Sequence, residues 1–217
     1  MYYVVLDIEM CKVPKIYRGD RYKYAREVIQ IGAVLLDQDY KQVDTFSQYV
    51  KPEYGKIDNF IKNLTGINNF QVKEAPGLKN ALQNMLDWIG EREYCVYAWS
   101  ENDYNQLKRE IFYKGIDDPD IENFMDVERW HDYQAVFDER FDYDNKVGLK
   151  DALMLCDIDA VGNFHDGFYD ALNTAILISR IETDPDFKLT KYEYIESYEP
   201  VNTCLGDLFG RMSLNIA

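Results

Sequence analysis

The run Tyr2-Tyr3-Val4-Val5-Leu6-Asp7-Ile8-Glu9 decides how this chain is read. Its apolar start predicts a buried central strand, yet the strand ends by collecting two acids separated by one residue. Side chains alternate faces along a strand, so Asp7 and Glu9 point the same way and both carboxylates lie within reach of one cation. Divalent magnesium or manganese is the natural candidate. Ordinary strand-end acids facing water would look the same, so the pair has to be weighed with what lies further along the chain.

Outward from that strand, Val28 to Leu36 reads as a second strand and Phe46 to Val50 as a third, joined by the polar, hairpin-like segment Asp37 to Asp44. The sheet therefore starts as an antiparallel meander. A short helix around Asp58 to Leu64 follows, then a longer one at Leu78 to Gly90 and a short strand at Tyr94 to Ala98. Helix is expected from about Tyr104 to Lys114, strand near Asn123 to Asp126, and helices near Arg129 to Phe137, Leu149 to Cys156 and Phe168 to Ile181. Three strands followed by alternating helix and strand predict a mixed α/β sheet. After Glu182 the pattern weakens, so residues 1–182 are expected to form one domain and 183–217 an appendage. Within that appendage, Lys188 to Glu199 alternates enough for an extra strand or an extended arm.

With 217 residues, 47% of them hydrophobic, the chain can bury one α/β core. It contains no apolar stretch near the ~18–20 residues of a membrane span. Acids stand inside the end of the first apolar run and no basic residue precedes it, so no secretory signal is read and the cytoplasm is expected. Cys11, Cys95, Cys156 and Cys204 are widely spaced, without the pairing that zinc requires, and are read as free thiols. A formal charge of −15 opposes tight, nonspecific binding of polyanions. It leaves room for an enzyme that grips a chain end and neutralises local charge with metal.

Two further acidic sites carry the argument. In Tyr97-Ala98-Trp99-Ser100-Glu101-Asn102-Asp103, Asp103 stands where a strand gives way to a helix, and alone it reads as a helix cap. In His165-Asp166-Gly167-Phe168-Tyr169-Asp170, a histidine precedes by five residues an acid in the first turns of an apolar helix. Gly167 would free the chain to turn there, with His165 on a loop and Asp170 fixed. His131 lacks a motif partner and reads as a surface histidine on a helix, and Asp117-Asp118-Pro119-Asp120 reads as a solvated turn.

Together, Asp7-x-Glu9, Asp103 and His165-x4-Asp170 resemble the three motifs of the DEDD exonuclease superfamily, in the branch with histidine. Glu27 to Val34 and Leu64-Thr65-Gly66-Ile67 are similar to that family too, and the resemblance spans about residues 2–182. It departs at Met10-Cys11, where the family often has Thr or Ala. The resemblance implies a ribonuclease H-like fold with a five-stranded mixed sheet flanked by helices. It implies two divalent cations, Mg2+ or Mn2+, and release of nucleoside 5′-monophosphates from a 3′ end. Asp7, Glu9 and Asp170 would hold the metal that activates water, Glu9 bridging toward the second, with Asp103 acting largely through water and His165 as general base. Four carboxylates around one point repel one another strongly, and bound divalent cations relieve that repulsion.

By the same resemblance, Met10, Leu64 and Ile67 should meet the terminal nucleotide, although burial in the core explains the last two equally well. Trp99 is a candidate for base stacking and equally for core filling. Single-stranded RNA is placed ahead of DNA as the substrate. Degradation of very short oligonucleotides, a proofreading subunit and a noncatalytic binding module are the alternatives. The appendage would dock a protein partner or a second copy of the chain.

Overall fold

The computed structural model describes residues 1–17 and 25–190. Its centre is a five-stranded sheet in the order β3-β2-β1-β4-β5, formed by β1 (Tyr2–Lys12), β2 (Arg26–Leu36), β3 (Gln42–Tyr49), β4 (Tyr94–Ala98) and β5 (Trp130–Asp132). β1 pairs antiparallel with β2 and β2 with β3, while β4 runs parallel to β1 and β5 parallel to β4. The expected mixed sheet with an antiparallel meander at its start is what the chain forms.

The sheet is covered on both sides. On one face Val4, Leu6, Ile8 and Val28 pack against Leu78, Leu82, Met85 and Ile89 of α3 (Leu78–Ile89). On the other, Val5, Val34 and Leu36 meet Ala171, Ala175 and Ile178 of α8 (Gly167–Glu182), which recur at the spacing of one helical face. Coverage on both sides explains why β2 reads from Val28 to Leu36 as an apolar run with one polar interruption, Gln30.

The smaller helices are α1 (Asn59–Thr65), α2 (Asn69–Lys73), α4 (Asn102–Lys114), α5 (Pro119–Phe124), α6 (Tyr133–Arg140) and α7 (Leu149–Leu155). Several expectations need correcting. No strand forms near Asn123 to Asp126. The Asp118 carboxylate accepts from the amides of Asp120 and Ile121, Pro119 opens the first turn, and the chain turns helical as α5. The fifth strand lies later, inside the segment expected to be helical from Arg129. Asp132 is the N-cap that accepts from Ala135, so helix begins only at Tyr133. His131 consequently stands exposed on β5 rather than on a helix. Helix α2 had not been expected, although the reciprocal Asn68–Gln71 capping box marks its start.

After α8, residues 183–190 run back along the domain: the Thr190 amide donates to the Leu155 carbonyl at 2.8 Å, and Phe187 packs edge-on to Phe141. Residues 188–190 form no strand; the rest of the expected arm, and Cys204, lie outside the described residues. Cys11, Cys95 and Cys156 are free thiols. No helix among the described residues is long and apolar enough to cross a membrane.

Candidate active site

The four carboxylates singled out in the sequence converge beside the middle of β1, just past Val5, where β4 stops pairing with it; the strand does not end at Glu9 as expected but runs on to Lys12. Asp103, only 7% exposed, does not cap its helix; the cap position is Glu101. Instead its Oδ1 accepts the backbone N–H of Ile8 at 3.2 Å, which ties α4 to β1 between Asp7 and Glu9. Asp170, in the first turn of α8, accepts the backbone N–H of His165 through Oδ2 at 2.8 Å. Its other oxygen, Oδ1, is buried without a hydrogen-bond partner. Such an orphaned acceptor is expensive to keep in a dry site unless something positive fills it.

The electrostatics agree. Burial pushes Glu9 up to about 8, with Asp170 and Asp103 adding to the shift. Asp103 is pushed up to about 7, chiefly by burial. Burial, then the charges of Asp103, Asp170 and Glu9, hold Asp7 well above the usual carboxylate range. Burial also raises Asp170, partly countered by the His165 N–H. Acids gathered in a buried site with no cationic side chain among them fit a place that takes up a cation. The donor set, carboxylate oxygens with one imidazole, suits a hard divalent ion rather than a thiophilic one.

His165 is exposed, and its backbone adopts φ 63°, the left-handed region that non-glycine residues rarely occupy. The Asp170 carboxylate holds that conformation by accepting its amide. Potential ligand atoms of Glu9, His165 and Asp170 all lie within 4.8 Å of one another. The imidazole thus hangs at the open side of the acid cluster.

What aligns this corner is a pair of residues that sequence reasoning missed. Gln30, 2% exposed on β2, donates through Nε2 to Asp166 Oδ1 at 3.0 Å and accepts the Gly167 amide through Oε1 at 3.1 Å. One carboxamide therefore clips the start of α8 to the sheet. The available signal was a polar side chain in a strand buried on both faces. Gly32, two residues on, leaves room for the α8 backbone: a Cβ there would collide with Gly167 and Phe168. The role expected of Gly167 changes accordingly, because the left-handed turn is made by His165, and Gly167 instead permits close approach to the Asp7 carbonyl and Gln30. Gly32→Ala should lower stability by roughly 1–3 kcal/mol, the usual result of overpacking. That corresponds to about 2–12 °C in a thermal melt of a protein this size. An unchanged melting temperature would show that α8 is not held at this point.

The expected substrate contacts fare differently. Leu64 is 38% exposed and Met10 half-buried, so both can meet a ligand. Ile67 is 1% exposed and packs with Cys11, Ile61 and Val72, which leaves its side chain in the core. Trp99 is 9% exposed, is tilted against Tyr133 and Phe137 and donates its indole N–H to the Val147 carbonyl at 3.2 Å, which puts its ring in the core.

A five-stranded mixed sheet with an acid cluster on its central strand, and a histidine at the cluster's rim, defines a ribonuclease H-like nuclease of the DEDDh type. The chain belongs to the exonuclease family RNase_T, whose model matches residues 4–178, and within it to the DEDDh-type 3′-5′ exonucleases. Membership of this family implies divalent metal ions. ERI1 exoribonuclease 2 of Xenopus laevis is 31% identical over 183 residues, which cover 73% of this chain and 26% of the relative. The chain thus spans about a quarter of that protein's length. The crystal structure of the nuclease domain of 3′hExo, a DEDDh family member bound to rAMP, superposes with a TM-score of 0.71 at 23% identity, covering 88% of this chain and 96% of that one. A second structure, of a 3′-exonuclease in 3′-end-specific recognition of a histone mRNA stem-loop, gives a TM-score of 0.72 at 22% identity, with 87% and 84% covered.

Proposed function

We propose that this protein is a metal-dependent 3′-to-5′ exonuclease acting on single-stranded RNA ahead of DNA. The observation that carries the reading is the cluster of Asp7, Glu9, Asp103 and Asp170, all resisting ionisation, with the buried, unpartnered Oδ1 of Asp170 among them. These four residues would hold two divalent cations, magnesium or manganese. When bound, the ions neutralise the carboxylates, make water a better nucleophile and stabilise charge on the departing oxygen.

The chain's own residues do the rest. His165 takes the proton of the attacking water. Asp170 fixes the backbone that carries it. Water adds to phosphorus, the bond to the 3′ oxygen breaks, and the products are a nucleoside 5′-monophosphate and a strand one unit shorter with a free 3′ hydroxyl. Leu64 and the backbone around Met10 meet the terminal nucleotide. The stem-loop named for one structural neighbour supports RNA. The net charge of −15 favours short substrates over long polymers, and very short oligonucleotides are the second reading. We place the domain boundary after Glu182, where α8 ends, with the following segment available to dock a partner or a second copy. Three free thiols fit a reducing compartment such as the cytoplasm.

Digestion of 5′-labelled RNA and DNA oligonucleotides with magnesium or manganese tests the reading. A ladder shortening from the 3′ end, absent in EDTA and faster on RNA, is expected. Intact substrate in the presence of metal, or cuts within the strand, would refute it.

A further inference from the structure

Residues 157–166, which carry His165, join α7 to α8 without regular structure. Most of the segment is exposed; Ile158 and Phe164 are partly buried against the apolar cluster that includes α8. Asp157 at φ 56°, Gly162 at 69° and His165 at 63° all stand in the left-handed region. In non-glycine residues such backbone persists only where surrounding contacts hold it, and an exposed loop supplies few of its own.

The holding group comes from inside α8. Asn173 is fully buried, yet its carboxamide pairs on both sides with one loop residue: Oδ1 accepts the Val161 amide at 2.8 Å, and Nδ2 donates to the Val161 carbonyl at 3.0 Å. Asn173 stands one turn beyond Asp170, which accepts the His165 amide, so one face of the helix grips the loop at two points. The Tyr169 ring adds to the grip, because it occupies the place a side chain at Gly162 would take. One hydrogen bond leaves a loop free to pivot, whereas two separated anchors fix its direction. If Val161 moved away, a buried donor and a buried acceptor would lose their partners together, which costs more than the bonds themselves contribute.

We infer that Asn173 is a positioning residue: through Val161 it holds the loop so that the His165 imidazole stands at the acid cluster, where ligand atoms of Glu9 and Asp170 lie within 4.8 Å of it. The inference rests on the nuclease reading above and on the part His165 has in it. Asn173 acts on the chemical step alone, because its polar atoms are engaged by Val161 and not by substrate or cation. Displacing a reacting group by about 1 Å costs on the order of 100-fold in rate.

Asn173→Leu keeps the branched shape and removes both bonds. It should lower kcat on an octameric single-stranded RNA about 100-fold, with KM and the magnesium concentration for half-maximal rate unchanged. Val161→Pro removes the donated amide at an exposed position and leaves α8 untouched, and it should lower kcat in the same way even if the core substitution fails to fold. In a His165→Ala background, Asn173→Leu should cost less than about twofold, because a group acting only through the imidazole has nothing left to position. Hydrogen exchange reads the contact without activity: the Val161 amide should be protected in the wild type and lose that protection in Asn173→Leu. A loss on the order of 100-fold that persists in the His165→Ala background overturns the inference, since it marks a purely structural role. Wild-type kcat in both variants, or a Val161 amide that exchanges as fast as a free peptide, overturns it too. A wild type that leaves the RNA intact in magnesium while Val161 is protected instead brings down the nuclease reading, and the positioning role with it.

Discussion

Asp7→Asn should abolish hydrolysis and, in the absence of metal, make the protein more stable. The loss follows from removing one of the carboxylates proposed above to hold the cations, whose electrostatic stabilisation would amount to several kcal/mol, or at least about 10³-fold in rate. The gain follows from the raised acids. Glu9 moves from 4.5 to about 8 and Asp103 from 3.8 to about 7, with Asp7 raised as well. A carboxyl whose folded pKa lies above its unfolded one binds more protons in the folded state. Stability is therefore fully present below about pH 4 and lost as pH rises through the folded values, toward 8. The displacement of Glu9 alone corresponds to up to about 5 kcal/mol. Melting curves in EDTA at pH 5 and pH 8 should show the wild type weakening with pH, and magnesium should restore far more at pH 8 than at pH 5. Asp7→Asn should melt above the wild type in EDTA at pH 8 and respond less to magnesium. If it melts lower there, mutual repulsion of the acids is not what destabilises the metal-free protein.

The same contrast shows what local sequence can carry. Period-two alternation was enough to put Asp7 and Glu9 on one side of β1, because strand geometry leaves no other option. Helix α8 was legible from its apolar spacing. Contacts that unite distant segments were not. Asp103 looked like a helix cap, since nothing within its own helix reports a hydrogen bond to Ile8, 95 residues away. Gln30 and Gly167, 137 residues apart, are no more readable. Between Pro119 and Asp132 the failure was of another kind: a three-residue edge strand is too short for periodicity, and two aspartates that cap helices shifted every boundary. Hydropathy could not separate Leu64 from Ile67 either, since both are apolar and only packing puts one in the core and leaves the other exposed.

These long-range ties also explain how a destabilised centre is maintained. The acids sit on three elements, β1, α4 and α8, that would separate under mutual repulsion if each were free. The Ile8–Asp103 bond, the Gln30 clip and the close approach at Gly32 fasten all three to the sheet. The apolar packing of α3 and α8 on opposite faces supplies the stabilisation from which the repulsion is offset. Preorganisation of this kind leaves the carboxylates in place before any cation arrives, so binding requires little rearrangement.

His165→Ala should lower kcat by about 10²- to 10⁴-fold, the usual contribution of a general base, with KM on an oligonucleotide little changed. Two other roles would also make the residue matter. It could be needed for its backbone, because it occupies the left-handed region at φ 63°. Asn accepts that conformation without an imidazole, so His165→Asn keeps the backbone while removing the base. Equal losses in the Ala and Asn variants select the imidazole, and wild-type rates in His165→Asn would sink the base assignment. Alternatively it could be a ligand, since its ring lies within 4.8 Å of Glu9 and Asp170 oxygens. A ligand's removal raises the magnesium concentration for half-maximal rate. A base's removal leaves that concentration alone. Added imidazole should restore part of the rate to His165→Ala only in the second case. The exposed position of the ring predicts that folding survives the change, so each of these readouts can be taken on intact protein.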